Sequence, residues 1–419
     1  MYDLAIIGAG AGGIEAAKFA CKNNLKTAII EKDFQSWGGI CVNKGCIPFK
    51  LSLNLAQKNK SLSFILEEEK KVISYLKKTS LDNLVRRGVR VFWGETEFVD
   101  ENTLKVNQDL VKAKNIIIAT GSLPKTINID NGKDKVIFAQ DLFSSIKEED
   151  ENFLIIGGGS IGIEAASLLN CLGKKVVVVE KEEKILPFID EEVAKRLKII
   201  LKRKGIEIHT SSDFKDLDLS LFDKILICVG RKPSFEIPGL EKIGIEKNSW
   251  GGIKTNAFLQ TNIKNIYACG DVTSKKMYAY LAQRQAQIII KNILGEKEEI
   301  DEEEFPEVVF SLPQVAWVGF KEEDLVKKGI KYKVIKTHFA PFSSSYVYDD
   351  KEGFIKILVD EEGKILGATI ISHLASEIIN IFALAIKANL SCKDLKKVIP
   401  PHPTISEIVF SVVEISSEY

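Results

Sequence analysis

Cys41 and Cys46 are the residues whose type and spacing most directly imply chemistry. They stand in the stretch 37–50, WGGICVNKGCIPFK. Pro48 suits the first turn of a helix, where its missing N–H is not needed, and residues 51–60 are typical of a helix. Cys46 would then lie near the helix N-terminus, where the positive end of the helix dipole lowers the pKa of a thiol. The pattern predicts a redox-active pair that exchanges with disulfides and donates electrons.

Two other interpretations of this pair stay open. Cysteines two to four residues apart form half of many zinc sites. However, the histidines at positions 209, 338, 373 and 402 stand singly, and no second pair with ligand spacing occurs. The pair could also be structural, as we expect for the other five cysteines, which lie in or beside apolar stretches. A glycine-rich turn between a strand and a helix, which is what we expect around positions 41 and 46, does not favour that interpretation.

The chain contains the same strand–turn–helix–strand pattern twice. Each copy has an apolar strand, three spaced glycines, the residues Ile-Glu-Ala-Ala, a second apolar strand and a terminal Glu-Lys. The distance along the chain from the first glycine to the acidic residue is the same in both copies. The glycines and acids are Gly8, Gly10, Gly13 and Glu31 in the first copy, and Gly157, Gly159, Gly162 and Glu180 in the second.

This repeated pattern predicts two dinucleotide sites. The first glycine allows a tight turn, the second lets the backbone approach a diphosphate, and the third lets helix and strand pack closely. The diphosphate would lie at the positive end of the helix, and the acid would accept hydrogen bonds from ribose hydroxyls. A carboxylate at Glu180 would repel a 2′-phosphate, which favours NAD over NADP. The other interpretation of each acid is a solvated strand end.

Length, charge and hydropathy limit the remaining possibilities. A chain of 419 residues is too long for one hydrophobic core, so we expect two to four domains. Lys and Arg total 58, as do Asp and Glu, so no basic surface suggests nucleic-acid binding. No apolar run approaches a membrane span. The chain begins directly with a buried strand, and we therefore expect no targeting segment and a cytoplasmic, reducing location.

Six motifs together resemble the class I pyridine nucleotide–disulfide oxidoreductases, over nearly the whole chain. They lie at residues 8–13, 39–50, 119–122, 157–164, 267–271 and 402–407. The resemblance implies an α/β fold with two Rossmann-like dinucleotide-binding domains, for FAD and NAD, and a C-terminal α+β dimerisation domain. The implied boundaries are 1–144 for the FAD domain, 145–232 for the NAD domain, 233–304 for a central return segment and 305–419 for dimerisation.

The resemblance also implies which residues contact the cofactors. The first glycine set and Glu31 would hold the adenosine half of FAD, and the second set with Glu180 would hold NAD. Asp271 would lie near the FAD ribityl chain, and Lys50 would lie by the flavin and pair with Glu164. The remaining implied cofactor contacts are Gly39, Thr120, Gly121, Gly230, Arg231 and Gly270. Sequence alone leaves open that Lys50 and Glu164 are unrelated surface charges.

The implied catalytic groups are Cys41, Cys46, His402 and Glu407. By resemblance, Cys46 faces the flavin and Cys41 exchanges with substrate. His402 is the acid–base, oriented by Glu407 and contributed by the other subunit of a homodimer. Three prolines surround His402, which predicts a stiff turn that presents the imidazole. The other interpretation is an ordinary exposed loop histidine.

Among these enzymes the chain looks most like the dihydrolipoamide dehydrogenase branch, because of the stretch 176–205 and the motif at 402–407. That branch implies lipoyl-carrying proteins of 2-oxoacid dehydrogenase or glycine cleavage complexes as partners. Three alternatives stay open: a glutathione-reductase-like enzyme for another disulfide, a mercuric-reductase-like metal-ion reductase, and a non-catalytic redox flavoprotein. The chain departs from the family's pattern at Ile40, Phe49 and Pro401 and in the shorter stretches 58–87 and 209–223. We therefore expect an altered substrate channel.

Overall fold

The computed structural model describes residues 1–129, 132–301 and 305–415. Its strands, in chain order, are β1 (Tyr2–Ile7), β2 (Thr27–Glu31), β3 (Arg90–Trp93), β4 (Thr96–Asp100), β5 (Thr103–Val106), β6 (Asp109–Ile118), β7 (Ser122–Pro124), β8 (Val136–Phe138), β9 (Asn152–Ile156), β10 (Lys175–Glu180), β11 (Glu207–Thr210), β12 (Lys224–Ile227), β13 (Arg231–Pro233), β14 (Ile266–Ala268), β15 (Glu307–Val309), β16 (Gln314–Gly319), β17 (Lys333–His338), β18 (Phe354–Val359) and β19 (Ile365–Ser372).

The α-helices alternate with these strands through most of the chain. They are α1 (Ala11–Lys22), α2 (Gly39–Asn43), α3 (Cys46–Ala56), α4 (Leu62–Arg86), α5 (Leu142–Ser145), α6 (Ser160–Cys171), α7 (Glu191–Arg203), α8 (Ala279–Ile293), α9 (Glu322–Lys328), α10 (Ser343–Val347), α11 (Ala375–Lys387), α12 (Cys392–Leu395) and α13 (Glu407–Ile415). Of the helices that the structure describes, none is both long and apolar enough to cross a membrane.

The chain forms two compact units, and each unit combines separate stretches of sequence. The first contains residues 1–126, 140–146 and 230–301. The second contains residues 127–139 and 147–229 and the described part of the remaining C-terminal chain. The short stretch 140–146 therefore belongs to the first unit, although its neighbours on both sides belong to the second.

The first unit is built on one sheet with the order β3-β2-β1-β6-β5-β4, in which β14 also pairs with β6. β1 pairs in parallel with β2 and β6, and β14 pairs in parallel with β6. Leu4, Ile6 and Ile29 are fully buried on one face of this sheet, together with apolar residues of α1 and α8. This packing brings the carboxyl ends of the parallel strands, and the loops that follow them, to one edge.

The second unit contains a parallel sheet and an antiparallel sheet. The parallel sheet has the order β11-β10-β9-β12-β8, and apolar strands such as Lys175–Glu180 form its buried centre. The antiparallel sheet has the order β15-β16-β19-β18-β17. Its core joins Ile357 and Ile370 to Phe382 of α11 and Ile408 of α13. β18 and β19 form an antiparallel hairpin around the turn at residues 360–363.

The predicted fold class is confirmed, with three differences in detail. The helix predicted from residue 51 already begins at Cys46, so that Cys46 is its first residue. The predicted strand-to-helix turn around Cys41 is wrong, because Cys41 lies within the short helix α2. Strand β8 lies before the predicted boundary at 144 and pairs in the sheet of the second unit. The boundaries themselves stay predictions, and the one at 304 falls in a stretch that the structure does not describe.

Candidate active site

The two cysteines of the predicted pair lie within hydrogen-bonding reach of each other. Cys41 is half-buried in α2, and Cys46 is exposed at the start of α3. A hydrogen bond from the Cys46 thiol lowers the pKa of Cys41, while burial and the charge of Asp271 act in the opposite direction. All seven cysteines lie in the described ranges, and none of them is in a disulfide. The arrangement suits a pair that alternates between a dithiol and a disulfide.

Local hydrogen bonds hold this pair in place. The side-chain amide of Asn43 donates to the carbonyl oxygens of Trp37 at 2.9 Å and Gly39 at 2.8 Å. These bonds close the short helix that carries Cys41. Lys44, between the two cysteines, forms an ion pair with Asp141 at 2.8 Å. The stretch 140–146 thus contacts the loop that separates the two thiols.

The first glycine turn has no room for side chains at two of its three glycines. Gly8 has φ of +100°, and a Cβ there would lie 2.5 Å from the carbonyl oxygen of Ala119. A Cβ on Gly13 would lie 1.9 Å from the carbonyl oxygen of Gly8. Gly10 is different, because its Cβ would meet only the Cα of Gly39, at 3.9 Å. The open side of Gly10, at the N-terminus of α1, is where a diphosphate fits against free N–H groups.

Glu31 lies at the end of β2 and faces this same turn. Its Oε2 accepts a hydrogen bond from the backbone N–H of Ala9 at 2.8 Å, and its Oε1 accepts one from Lys32 at 2.8 Å. Gly39 also belongs here, because a Cβ on it would lie 2.8 Å from the Cα of Gly10. The cysteine helix and the glycine turn therefore touch. Together they form a cradle that fits the diphosphate and adenosine of FAD.

The second glycine turn repeats this geometry. Gly157 has φ of +110°, and a Cβ on Gly162 would lie 1.9 Å from its carbonyl oxygen. A Cβ on Gly159 would meet nothing within 4 Å. Glu180 is 8 % exposed, and its Oε2 accepts from Gly158 N–H at 2.7 Å while its Oε1 accepts from the N–H of residue 182 at 2.9 Å. The residues fit a second dinucleotide at the N-terminus of α6.

Thr120, Gly121, Gly230 and Arg231 meet in a small ribbon made by β7 and β13. The strands are antiparallel, and Gly121 and Gly230 precede them with φ of +73° and +98°. The Thr120 hydroxyl donates to the carbonyl of Ser234 across the ribbon. Sequence reasoning included these four residues as cofactor contacts, and they belong to the first unit.

Ser122 is a buried residue of this ribbon to which sequence reasoning gave no role. Its hydroxyl donates to Oδ2 of Asp271 at 2.5 Å and accepts from Nε of Arg231 at 2.7 Å. Asp271 lies in the 3₁₀ turn that begins at Gly270, directly after β14. Burial raises the pKa of Asp271, and the Ser122 hydrogen bond and the Arg231 charge oppose that rise. The only sequence signal was that Ser122 ends the motif at 119–122.

His402 and Glu407 form a direct pair in the second unit. His402 Nδ1 lies 2.8 Å from Glu407 Oε2, and the histidine side chain is 69 % exposed while the glutamate side chain is 13 % exposed. The Thr404 hydroxyl donates to the carbonyl of Pro401 at 2.8 Å, which closes the turn before α13. A carboxylate held on Nδ1 leaves Nε2 free to exchange protons. The pair thus presents an oriented imidazole to whatever binds this face.

Lys50 and Glu164 lie in different units. Lys50 is half-buried in α3. Glu164, on α6, accepts a hydrogen bond from the backbone N–H of Phe310 at 2.8 Å. The implied Lys50–Glu164 pair stays a prediction. Within the described ranges, no three His, Cys, Asp or Glu side chains are grouped so that they could hold a metal ion.

Comparison with known families matches almost the entire chain. Residues 2–286 match the family described as pyridine nucleotide-disulphide oxidoreductase. Residues 305–412 match the dimerisation domain of the same family. The first match includes both glycine turns and the cysteine pair, and the second includes His402 and Glu407.

Curated relatives share about a third of their residues with this chain. Dihydrolipoyl dehydrogenase of Buchnera aphidicola subsp. Schizaphis graminum is 33% identical, over 99% of this chain and 95% of its own length. The enzyme of that name from Bacillus subtilis is 32% identical, over 99% and 96%. The mitochondrial dihydrolipoyl dehydrogenase of Sus scrofa is 33% identical, over 97% and 88%.

A solved structure agrees with the fold over nearly the same length. It is the Cu(II) complex of the HOCl-induced flavoprotein disulfide reductase RclA from Escherichia coli. The TM-score is 0.92 at 28% identity, with 97% of this chain and 98% of that chain covered. Similarity to this reductase and to the dehydrogenases is of the same order, so the comparisons agree on disulfide chemistry and differ on the substrate.

Proposed function

Because this chain belongs to the pyridine nucleotide-disulphide oxidoreductase family, we propose that it is a dihydrolipoyl dehydrogenase that uses Cys41 and Cys46. The family binds FAD and a pyridine nucleotide, and the two glycine turns fit those two dinucleotides. Relatives named dihydrolipoyl dehydrogenase, matched over nearly the full chain, support the choice of substrate. The observation that carries the proposal is the contact between the Cys46 thiol and Cys41 at the start of α3.

The proposed reaction is two successive thiol–disulfide exchanges. One thiolate of the dihydrolipoyl group attacks Sγ of Cys41 in the oxidised pair, and Cys46 leaves as a thiolate. The second substrate thiolate then displaces Cys41, which releases a cyclic disulfide and leaves the enzyme pair reduced by two electrons. Cys46 suits the leaving role, because the N-terminus of α3 stabilises its negative charge. When bound, FAD carries the electron pair from the reduced cysteines to NAD.

His402 would accept the protons that the substrate thiols release. Its Nδ1 is held by Glu407 at 2.8 Å, so Nε2 is the nitrogen available for proton transfer. The family relationship supports a homodimer, since residues 305–412 match the dimerisation domain. We propose that His402 acts on the cysteine pair of the partner subunit. We also propose lipoyl-carrying proteins as partners and a cytoplasmic location, where a reducing environment suits seven cysteines that form no structural disulfide.

The experiment is NAD reduction by dihydrolipoamide with the purified holoenzyme. Cys41→Ser and Cys46→Ser should each abolish turnover, because either change removes the exchangeable disulfide. Cys171→Ser is the matched control and should keep wild-type activity, since Cys171 is half-buried in α6 of the second unit, whereas the pair belongs to the first unit. Activity retained in either variant of the pair would refute the role proposed for these cysteines.

A second candidate is the reduction of another disulfide at the expense of NADH. The similarity to the reductase RclA favours it, at a TM-score of 0.92. The two candidate functions can be distinguished by assaying a panel of disulfides with NADH. The panel includes lipoamide, glutathione disulfide and small aromatic disulfides. A preference for lipoamide by about a hundredfold in kcat/KM would support the dehydrogenase, whereas a preference for another disulfide would replace it.

A further inference from the structure

Gln285 is fully buried at a position of α8 where the helix pattern predicts an apolar residue. Its exposed fraction is 0 %, and it shares its face of the helix with the buried residues Leu281, Ile288 and Ile289. Glutamine is mostly found on protein surfaces, because burying its amide is unfavourable unless the amide is hydrogen-bonded. A polar side chain that interrupts an apolar face in this way often serves a functional site.

Gln285 contacts the backbone of the turn that carries Asp271. Its amide oxygen accepts a hydrogen bond from the backbone N–H of Gly270 at 2.7 Å. Gly270 begins this 3₁₀ turn with φ of +78°, a conformation that favours glycine. The hydroxyl of Thr273 donates to the carbonyl oxygen of Gly270 at 2.9 Å. Buried side chains therefore bind both polar groups of the Gly270 backbone.

Helix α8 also packs directly on this turn and on the first glycine turn. A Cβ on Gly270 would lie 3.2 Å from the Cβ of Ala282, which lies three positions before Gln285 and so on the same side of the helix. A Cβ on Gly12 of α1 would lie 3.4 Å from the carbonyl oxygen of Ala282 and 3.1 Å from the sulfur of Cys269. The start of α1, the Gly270 turn and the Gln285 side of α8 thus pack together within the first unit.

Asp271 is the half-exposed residue of this turn. Gly270 and Val272 on either side of it are buried. Oδ2 of Asp271 accepts from the Ser122 hydroxyl at 2.5 Å, so the residue is held by its side chain and by the fixed backbone before it. Such a side chain has little conformational freedom left to lose when it binds a ligand, which favours binding.

We propose that Gln285 is a positioning residue, which holds the Gly270 turn so that Asp271 is correctly oriented towards FAD. The inference rests on the proposed function, in which Asp271 lies near the ribityl chain of the cofactor. Because Gln285 is fully buried, it acts on the cofactor through the backbone N–H of Gly270. When the amide oxygen is removed, that N–H loses an acceptor and the turn relaxes. Asp271 then leaves the position that suits the cofactor.

The test measures how fast the holoenzyme releases its flavin. Purified protein saturated with FAD is diluted, and the released flavin is followed by its fluorescence. Gln285→Met has nearly the same side-chain length but no amide oxygen, so it should release FAD roughly tenfold faster than the wild type. Gln285→Asn carries the same amide one methylene group too short to reach Gly270, and it should release FAD as fast as Gln285→Met.

Gln287→Met is the matched control on the same helix. The amide of Gln287 donates to the carboxylate of Glu15 at 2.8 Å and does not contact the Gly270 turn. The release rate of this variant should therefore stay within about twofold of the wild-type rate.

A second comparison distinguishes positioning of Asp271 from a general loss of stability. If Gln285 acts through Asp271, Gln285→Met should change the release rate by less than about twofold in protein that already carries Asp271→Ala. The melting temperature should fall in both backgrounds. A tenfold effect that persists in Asp271→Ala, or a wild-type release rate in Gln285→Met or Gln285→Asn, would overturn the inference. Wild-type protein that binds no FAD would instead overturn the proposed function.

Discussion

Replacing the third glycine of each turn by alanine should show which turn binds FAD and which binds NAD. In Gly13→Ala the new Cβ would lie 1.9 Å from the carbonyl oxygen of Gly8, and in Gly162→Ala it would lie 1.9 Å from that of Gly157. Ordinary contact begins at 3.4 Å, so helix and strand must separate by 3.4 − 1.9 = 1.5 Å in either case. The helix and the strand cannot move apart easily, because the atom nearest to the new Cβ is a backbone carbonyl oxygen in both cases.

The expected loss in the free energy of unfolding follows from that displacement. Overpacking of a tight core costs about 1–3 kcal/mol, and a displacement of this size in a backbone contact belongs at the upper end. For a unit of roughly 200 residues, a loss of about 3 kcal/mol lowers the melting temperature by about 6–12 °C. Gly13→Ala should therefore purify with little flavin. Gly162→Ala should keep its flavin and bind NADH at least tenfold more weakly.

The assay compares flavin content per chain, NADH affinity by titration and melting temperature. Gly159→Ala is the control, because its Cβ meets nothing within 4 Å. It should melt like the wild type and lose NADH affinity alone, since the new methyl group occupies the space of the diphosphate. Flavin lost from Gly162→Ala but kept in Gly13→Ala would refute the assignment of the two sites. Unchanged melting in both would refute the packing argument.

Three further changes test other parts of the molecule. Glu407→Gln should lower kcat about 10- to 100-fold in steady-state assays, because a charge-assisted hydrogen bond to His402 of about 1.5–3 kcal/mol is lost; an unchanged kcat contradicts the orienting role. Burial raises the pKa of Glu69 to about 7, above its ordinary value of 4.5, so its contribution to stability is present below pH 4.5 and lost as pH rises through 7. Between pH 5 and pH 8, the free energy of unfolding measured in urea should therefore fall by about 1–3 kcal/mol less in Glu69→Gln than in the wild type. An equal fall in the two proteins would reject this prediction. Glu180→Gln should reduce the preference for NAD over NADP about tenfold in kcat/KM, whereas an unchanged ratio means that Glu180 does not face the 2′ position.

The glycine turns and the cysteine pair could be predicted because their geometry is local. The turn needs positive φ at Gly8 and no side chain at Gly13, so few residue types other than glycine fit there. The same glycine pattern occurs twice in the chain. Cys46 could be placed at a helix N-terminus for a similar reason, since Pro48 suits a first turn. The helix around Cys41 was missed, because it is five residues long and begins at Gly39 directly after Gly38, and two adjacent glycines favour a turn.

The line from Arg231 through Ser122 to Asp271 could not be predicted from the residues. Ser122 is 109 positions from Arg231 and 149 from Asp271, and one sequence carries no signal for contacts so distant. The contacts exist because β7 and β13 pair where the chain crosses between units, and because β14 joins the first sheet at β6. Only the sheet order, which depends on long-range pairing, brings the three residues together.

Glu31 and Glu180 have a second role that the ribose interpretation overlooks. Each carboxylate accepts the N–H of the residue after the first glycine of its own turn, at 2.8 Å in one copy and 2.7 Å in the other. The acid therefore braces the turn before any cofactor binds, and the side chain must be long enough to reach it from the strand end. Glutamine at position 180 keeps one of the two acceptor atoms and loses the charge. Alanine loses both, so its effect on cofactor choice would be mixed with damage to the turn, and only the glutamine variant measures the charge.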